Sequence, residues 1–219
     1  MNAQILESPN AGRNDSLFPP IELLDTIELS EATLDEQRIY GFRHGDTRAR
    51  PFKLLRSQIR KLAGAENYKL IGIPSASPGV GKSFVAANLA AALSRLADVE
   101  VYLADFDLQR PALATRFGIQ QGPGVIEYLA EEADIRQVAK RVAGERLVLL
   151  PSFKADHPTG ELLASPRGES LFAGLGALPP SAIVLLDMPP IFADDDAVII
   201  AQKLDAFLLV VEDGKTTQK

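Results

Sequence analysis

Short continuous apolar runs alternate along this chain with longer stretches whose apolar residues recur at helical spacing. The runs are Leu70-Ile71-Gly72-Ile73, residues 99–104, residues 147–150, residues 183–186 and residues 207–211. Each is four to six residues long and bounded by turn or charged residues, the pattern of a strand buried on both faces. Between them, Phe52, Leu55, Ile59 and Leu62 recur with basic residues opposite, predicting an amphipathic helix from about residue 51 to 63. That helix is expected to pack on the edge of the sheet that begins at Lys69. Residues 84–93 predict a second helix, residues 111–146 mainly short helices, and residues 162–178 a broken helical pattern. A last short helix runs to Ala201 behind Asp194-Asp195-Asp196, of which at least two read as caps or solvated charges. Strands alternating with helices in this order predict an α/β fold with a doubly wound parallel sheet.

Residues 1–46 show little sustained periodicity and read as a flexible leader, with one domain over residues 47–219. Ile21, Leu23, Leu24, Ile27 and Leu29 are apolar enough for part of the leader to lie along the domain or on a partner.

The first strand and its helix are joined by Ser75-Ala76-Ser77-Pro78-Gly79-Val80-Gly81-Lys82-Ser83. A Gly-rich turn between a strand and a helix, closed by Gly-Lys-Ser, is the pattern of a phosphate-binding loop. Gly79 and Gly81 let backbone N–H groups turn toward an anion, and the helix N-terminus adds its positive end. Lys82 would neutralise β- and γ-phosphates and the Ser83 hydroxyl would ligate Mg²⁺. Ala76 stands where the usual spacing has a first glycine.

Two later strands end in acids. Residues 99–104 deliver Asp105-Phe106-Asp107, whose two carboxylates are expected to project the same way from a strand end. Residues 183–186 deliver Asp187-Met188-Pro189-Pro190, an acid behind four apolar residues, as in a Walker B strand. Ligands of parallel sheets sit beyond the carboxyl ends of the strands, so Asp105, Asp107 and Asp187 would face the phosphates and the metal. This physical reading reaches a Mg²⁺-dependent nucleoside triphosphate site and leaves the phosphate acceptor open.

Composition narrows the class. With 219 residues and 46% hydrophobic content the chain can bury one sizeable core. No apolar run approaches the roughly eighteen residues that cross a bilayer, and no secretory signal precedes the domain, so a cytoplasmic location with no direct membrane span is expected. The absence of cysteine excludes disulfides and Cys-ligated zinc. A formal charge of −6 argues against a general nucleic-acid surface. The one basic cluster, Arg48, Arg50, Lys53, Arg56, Arg60 and Lys61, reads as a solvated helix face.

The segments 76–83, 103–111 (Leu-Ala-Asp-Phe-Asp-Leu-Gln-Arg-Pro) and 185–190 (Leu-Leu-Asp-Met-Pro-Pro) resemble the Walker A, A′ and B motifs of bacterial tyrosine kinases. That family belongs with the MinD/ParA-like P-loop NTPases. The likeness runs from about Leu34 to Thr217. It implies an ATP- and Mg²⁺-dependent kinase that phosphorylates tyrosines of itself and its neighbours in a homo-oligomeric ring. It further implies activation by a Wzz-like inner-membrane polysaccharide co-polymerase, peripheral association with the membrane through that partner, and control of exopolysaccharide polymerisation and export.

By motif, Pro78, Gly79, Val80, Gly81, Lys82, Ser83 and Phe84 would hold the nucleotide. Ser83, Asp105 and Asp187 would hold the metal, and Lys82, Asp105, Asp107 and Asp187 would be catalytic. Which Asp takes the tyrosine proton stays open. Family members commonly have Glu at the position of Val80 and an acid at that of Arg50. The family's C-terminal tyrosine cluster, final strand and final helix find no counterpart, which leaves Tyr40 as the most accessible of Tyr40, Tyr68, Tyr102 and Tyr128. Two other readings remain: a nucleotide-dependent scaffold without kinase activity, and a MinD/ParA-type positioning ATPase, against which Ser77 stands where a partner-reaching lysine would be.

Overall fold

The computed structural model describes residues 16–154, 156–192 and 195–214. Its centre is a sheet of seven strands: β1 (Asp25–Ile27), β2 (Leu70–Ile73), β3 (Glu100–Asp105), β4 (Lys140–Val142), β5 (Leu147–Leu150), β6 (Ala182–Asp187) and β7 (Ala206–Phe207). Their spatial order is β1-β4-β5-β3-β6-β2-β7. Neighbours are parallel except β4 and β5, which pair antiparallel. The helices are α1 (Glu31–Glu36), α2 (Arg50–Glu66), α3 (Lys82–Ser94), α4 (Leu113–Arg116), α5 (Val125–Leu129), α6 (Ile135–Val138), α7 (Thr159–Leu163), α8 (Pro166–Gly176) and α9 (Asp196–Ala201).

Period-two side chains split the strands between two cores. Val101, Leu103, Leu147, Leu149, Ile183 and Leu185 meet α3 on one face. Tyr102, Ala104, Val148, Leu150, Val184 and Leu186 meet α5, α7, α8 and α9 on the other. The central strands are therefore apolar on both faces between their ends, and the architecture is three layers, α/β/α. Residues 86–94 of α3 are buried around the whole helix. It is enclosed by the sheet on one side and α2 on the other.

Three expectations change. Helix α2 packs on α3, not on the sheet edge: the Phe52 ring meets Phe84 edge-on at 5.6 Å, and Arg56 donates to the carbonyl of Ala92 at 3.1 Å. The leader is folded over residues 16–46, while residues 1–15 lie outside the described residues. Phe18, Ile21 and Leu24 are buried in one core, and Leu34 and Ile39 in the other; β1 pairs with β4. Their apolar area removed from water offsets the entropy of ordering an irregular segment. The fifth apolar run forms a regular strand only at its start, β7, and continues beside β2 with Leu208 N–H donating to the Gly72 carbonyl at 2.8 Å and Val210 N–H to the Pro74 carbonyl at 2.9 Å.

Asn88 on α3 explains how the leader is held. Its Oδ1 accepts from the backbone N–H groups of Tyr40 (2.7 Å) and Gly41 (3.2 Å), and its Nδ2 donates to the carbonyls of Arg38 and Phe84, each at 3.0 Å. One buried amide thus fastens residues 38–41 to the helix that follows the phosphate loop.

Candidate nucleotide site

Strand register brings the three motifs together. In β6, Asp187 lies opposite Ile73 of β2 on one side and opposite Asp105 of β3 on the other. The loop leaves β2 directly after Ile73, so its lysine returns over both acids. The N–H of Phe106 donates to the carbonyl of Asp187 at 2.8 Å and fixes the turn that carries Asp107.

Within the loop, Gly79 and Gly81 adopt φ of 79° and 95°, the left-handed region that other residues enter at a cost. No atom stands within 4 Å of where a Cβ would be on either, so the loop faces open space. The first N–H groups of α3 have no intrahelical acceptor and point into that opening. Pro78 is exposed and Val80 partly covered. The side chain of Phe84 turns away, edge-on to Phe52 and to Tyr40, the latter at 6.5 Å. Its backbone is the part available to a nucleotide.

The Lys82 ammonium is buried, 2.6 Å from Asp107 Oδ2 and 3.6 Å from Asp187 Oδ1, and 3.5 Å from the Ser83 hydroxyl. Asp105 is held differently: its Oδ2 accepts from the N–H groups of Ala112 (2.8 Å) and Leu113 (2.9 Å). The two carboxylates expected to project together therefore diverge, one securing the turn after β3 and the other meeting Lys82. Asp105 Oδ1 and Asp107 Oδ1 are buried without a hydrogen-bond donor, and the buried Asp187 carboxylate has the Lys82 ammonium and the Ser83 hydroxyl beside it. Burial pushes the Asp187 carboxyl up to about 6, against the opposing pull of Lys82. Burial, then the neighbouring Asp187 charge, pushes Asp105 well above the usual range. Two buried carboxylates thus meet one ammonium with Asp105 Oδ1 buried nearby, and these oxygens are hard ligands that fit a small divalent cation.

Arg116, Ser152 and Asn88 had no signal in the sequence pattern. Arg116 lies 5.9 Å from the Phe84 ring centre and donates to the Gln37 carbonyl at 3.3 Å. The Ser152 hydroxyl donates to the Asp105 carbonyl at 2.8 Å, tying the end of β5 to that of β3. Of the acidic triplet, Asp194 lies outside the described residues. Asp195 sits at the N-cap of α9 without a side-chain capping bond, and Asp196 is buried, accepting from the Thr159 hydroxyl at 2.7 Å. In the basic cluster, Arg48 pairs with Asp46 and Arg60 with Asp98. Tyr40 is half-covered beneath the Arg48 guanidinium, 4.2 Å from its ring centre. Tyr68 is half-covered as well, and Tyr102 and Tyr128 are buried.

Residues 71–217 match the CobQ/CobB/MinD/ParA nucleotide binding domain. The tyrosine-protein kinase YwqD of Bacillus subtilis is 30% identical over 168 residues, which are 77% of this chain and 70% of that one. The chain belongs to the bacterial tyrosine kinase family of MinD/ParA-like nucleotide-binding domains. The succinoglycan biosynthesis transport protein ExoP of Rhizobium meliloti is 34% identical over 161 residues, 72% of this chain and 20% of that one. The kinase domain of Escherichia coli tyrosine kinase ETK superposes with a TM-score of 0.71 at 25% identity, covering 88% of this chain and 79% of that one. The chain spans about a fifth of the length of the longer relatives. Among the described residues, no helix is long and apolar enough to cross a membrane.

Proposed function

We propose that this chain is an ATP- and Mg²⁺-dependent protein-tyrosine kinase that regulates exopolysaccharide polymerisation and export. The observation that carries the reading is the buried Lys82 ammonium held against Asp107 and Asp187 where three strands end. Membership in the tyrosine kinase family supports the choice of acceptor, and the name of ExoP supports the polysaccharide setting.

Ser83 and Asp187 would hold Mg²⁺, with one oxygen of Asp105 beside them. Among the described residues no group of three or more His, Cys, Asp or Glu is arranged to hold a metal unaided, so phosphate and water oxygens would complete the shell. Bound Mg²⁺ would supply charge neutralisation along the β- and γ-phosphates. The backbone N–H groups of Gly79 to Phe84 orient those phosphates, with Pro78 shaping the loop ahead of them, and Lys82 turns from Asp107 to them. Asp107, released by that turn, accepts the phenol proton at its carboxylate. The phenol oxygen forms its bond to the γ-phosphorus as the bond to the bridging oxygen breaks and ADP leaves. A phenol with pKa near 10 needs this positioned base and in-line geometry more than a strong base. Asp105, with Oδ2 committed to Ala112 and Leu113, is the positioning carboxylate.

The partner in this reading is a Wzz-like inner-membrane co-polymerase, with the chain cytoplasmic and reaching the membrane through it, assembled as a homo-oligomer and independent of nucleic acid. A nucleotide-dependent scaffold without kinase activity is the second reading, favoured by the partial or complete covering of all four tyrosines. Incubation with Mg²⁺·ATP followed by anti-phosphotyrosine detection separates the two. Signal that disappears in Lys82→Ala and Asp107→Ala supports the kinase. Nucleotide binding with no phosphotyrosine on the chain or on added tyrosine peptides supports the scaffold.

A further inference from the structure

A cleft of about 640 Å³ opens beside the ends of β3 and β5, walled by residues that follow the Asp107 turn and the end of β5. Gln109, Arg110 and Pro111 directly follow the Asp107 turn, and Ser152, which lines the cleft, is the residue whose hydroxyl fixes the Asp105 carbonyl. Its volume suits a bound side chain with flanking backbone, within the range of ordinary ligand sites. Phe153 and Ile119 give it apolar surface.

Its charge departs from that of the molecule. The chain has 29 acidic residues against 23 Lys and Arg, yet no carboxylate lines this cleft and two cations, Arg110 and Lys154, do. Both are exposed. Neither forms an ion pair within the described residues, whereas Arg43, Arg48, Arg60, Arg95 and Arg146 all do. Two uncommitted cations flanking an apolar cleft next to a candidate proton acceptor are complementary to an aromatic side chain set among acids.

We infer that this cleft binds the acceptor, an acidic tyrosine-bearing segment of a partner protein, through Arg110 and Lys154 and directs its phenol toward Asp107. The occupant is a separate protein because, among the described residues, the partly exposed tyrosines are held elsewhere on the surface. Tyr40 lies against the Arg48 guanidinium with its backbone N–H on Asn88, and Tyr68 lines a different cleft beside Arg60 and Lys69. The inference rests on the kinase reading for its chemistry, but binding can be measured without transfer.

The test is fluorescence anisotropy with a labelled peptide carrying one tyrosine flanked by glutamates, beside a matched peptide with glutamines in their place. Parent, Arg110→Glu/Lys154→Glu and the milder Arg110→Gln/Lys154→Gln are compared, each checked by thermal unfolding. The expected result is preference for the acidic peptide, lost with added salt, and roughly tenfold weaker binding in the reversal variant, with the glutamine variant between. Equal binding of both peptides by the parent, or unchanged affinity in two folded variants, overturns the inference. Selective acidic-peptide binding without phosphotyrosine would leave the cleft assignment standing and refute the kinase. Phosphorylation of both peptides at one KM would do the reverse.

Discussion

Replacing Asn88 with alanine is expected to loosen residues 38–41 from α3 while leaving the sheet intact. The side chain is fully buried and serves four backbone groups. The Phe84 carbonyl lies four residues earlier in the same helix and keeps its helical partner. The N–H groups of Tyr40 and Gly41 and the carbonyl of Arg38 lose theirs. At about 1 kcal/mol for each stranded group, the cost is about 3 kcal/mol. For a domain of this size that lowers the midpoint of thermal unfolding by about 6–12 °C. Denaturant unfolding of parent and variant, with hydrogen exchange at Tyr40 and Gly41, measures both the energy and its location. A loss below about 1 kcal/mol, or unchanged protection of those two amides, would refute the claim that Asn88 fastens the leader to the phosphate-loop helix.

Gly81→Ala forces a side chain to φ of 95°; it should cost about 1–2 kcal/mol and weaken nucleotide binding about tenfold, which equilibrium titration would detect and unchanged affinity would contradict. Gly72→Ala drives a Cβ into Met188 Sδ and Leu204 Cδ1, so melting curves should show a loss of about 1–3 kcal/mol, and none would mean that β2 and its neighbours yield easily. The pKa of Asp187 stands at about 6 when folded against 3.8 as the ordinary value. Between those values the native state holds more protons than the unfolded chain, so this residue's contribution to stability falls as pH rises. Asp187→Asn, measured without nucleotide, should therefore be more stable than the parent at neutral pH by up to about 3 kcal/mol, with the gain vanishing toward about pH 4. A gain independent of pH would place the cause elsewhere.

The parts of the fold legible in the sequence are those buried on both faces. β2, β3, β5 and β6 announce themselves because a central parallel strand must be apolar at each position. The phosphate loop was legible because its conformation demands glycine at defined places. The edge strand and its neighbour escape the same reasoning: Asp25-Thr26-Ile27 and Lys140-Arg141-Val142 are mostly polar and partly exposed, and only their pairing makes them strands. Phe18, Leu24 and Ile39 are core residues on irregular backbone and Ile21 sits in a single 3₁₀ turn, so no period exists to find. Asp105 and Asp107 were visible as a pair, but their divergence depends on the amides of Ala112 and Leu113, which the chain brings back only by folding. The contact of α2 with α3 was hidden for a related reason: α3 is apolar around its circumference and gives no hint of which face meets a helix.

The most direct test of the account is calorimetric titration of ATP into the purified chain with and without Mg²⁺, with Lys82→Ala alongside. Saturable binding that weakens at least about tenfold on removing Mg²⁺ and again in Lys82→Ala is the predicted result. No binding by the parent, or equal binding by the variant, would contradict the claim that these three strand ends form a nucleotide site.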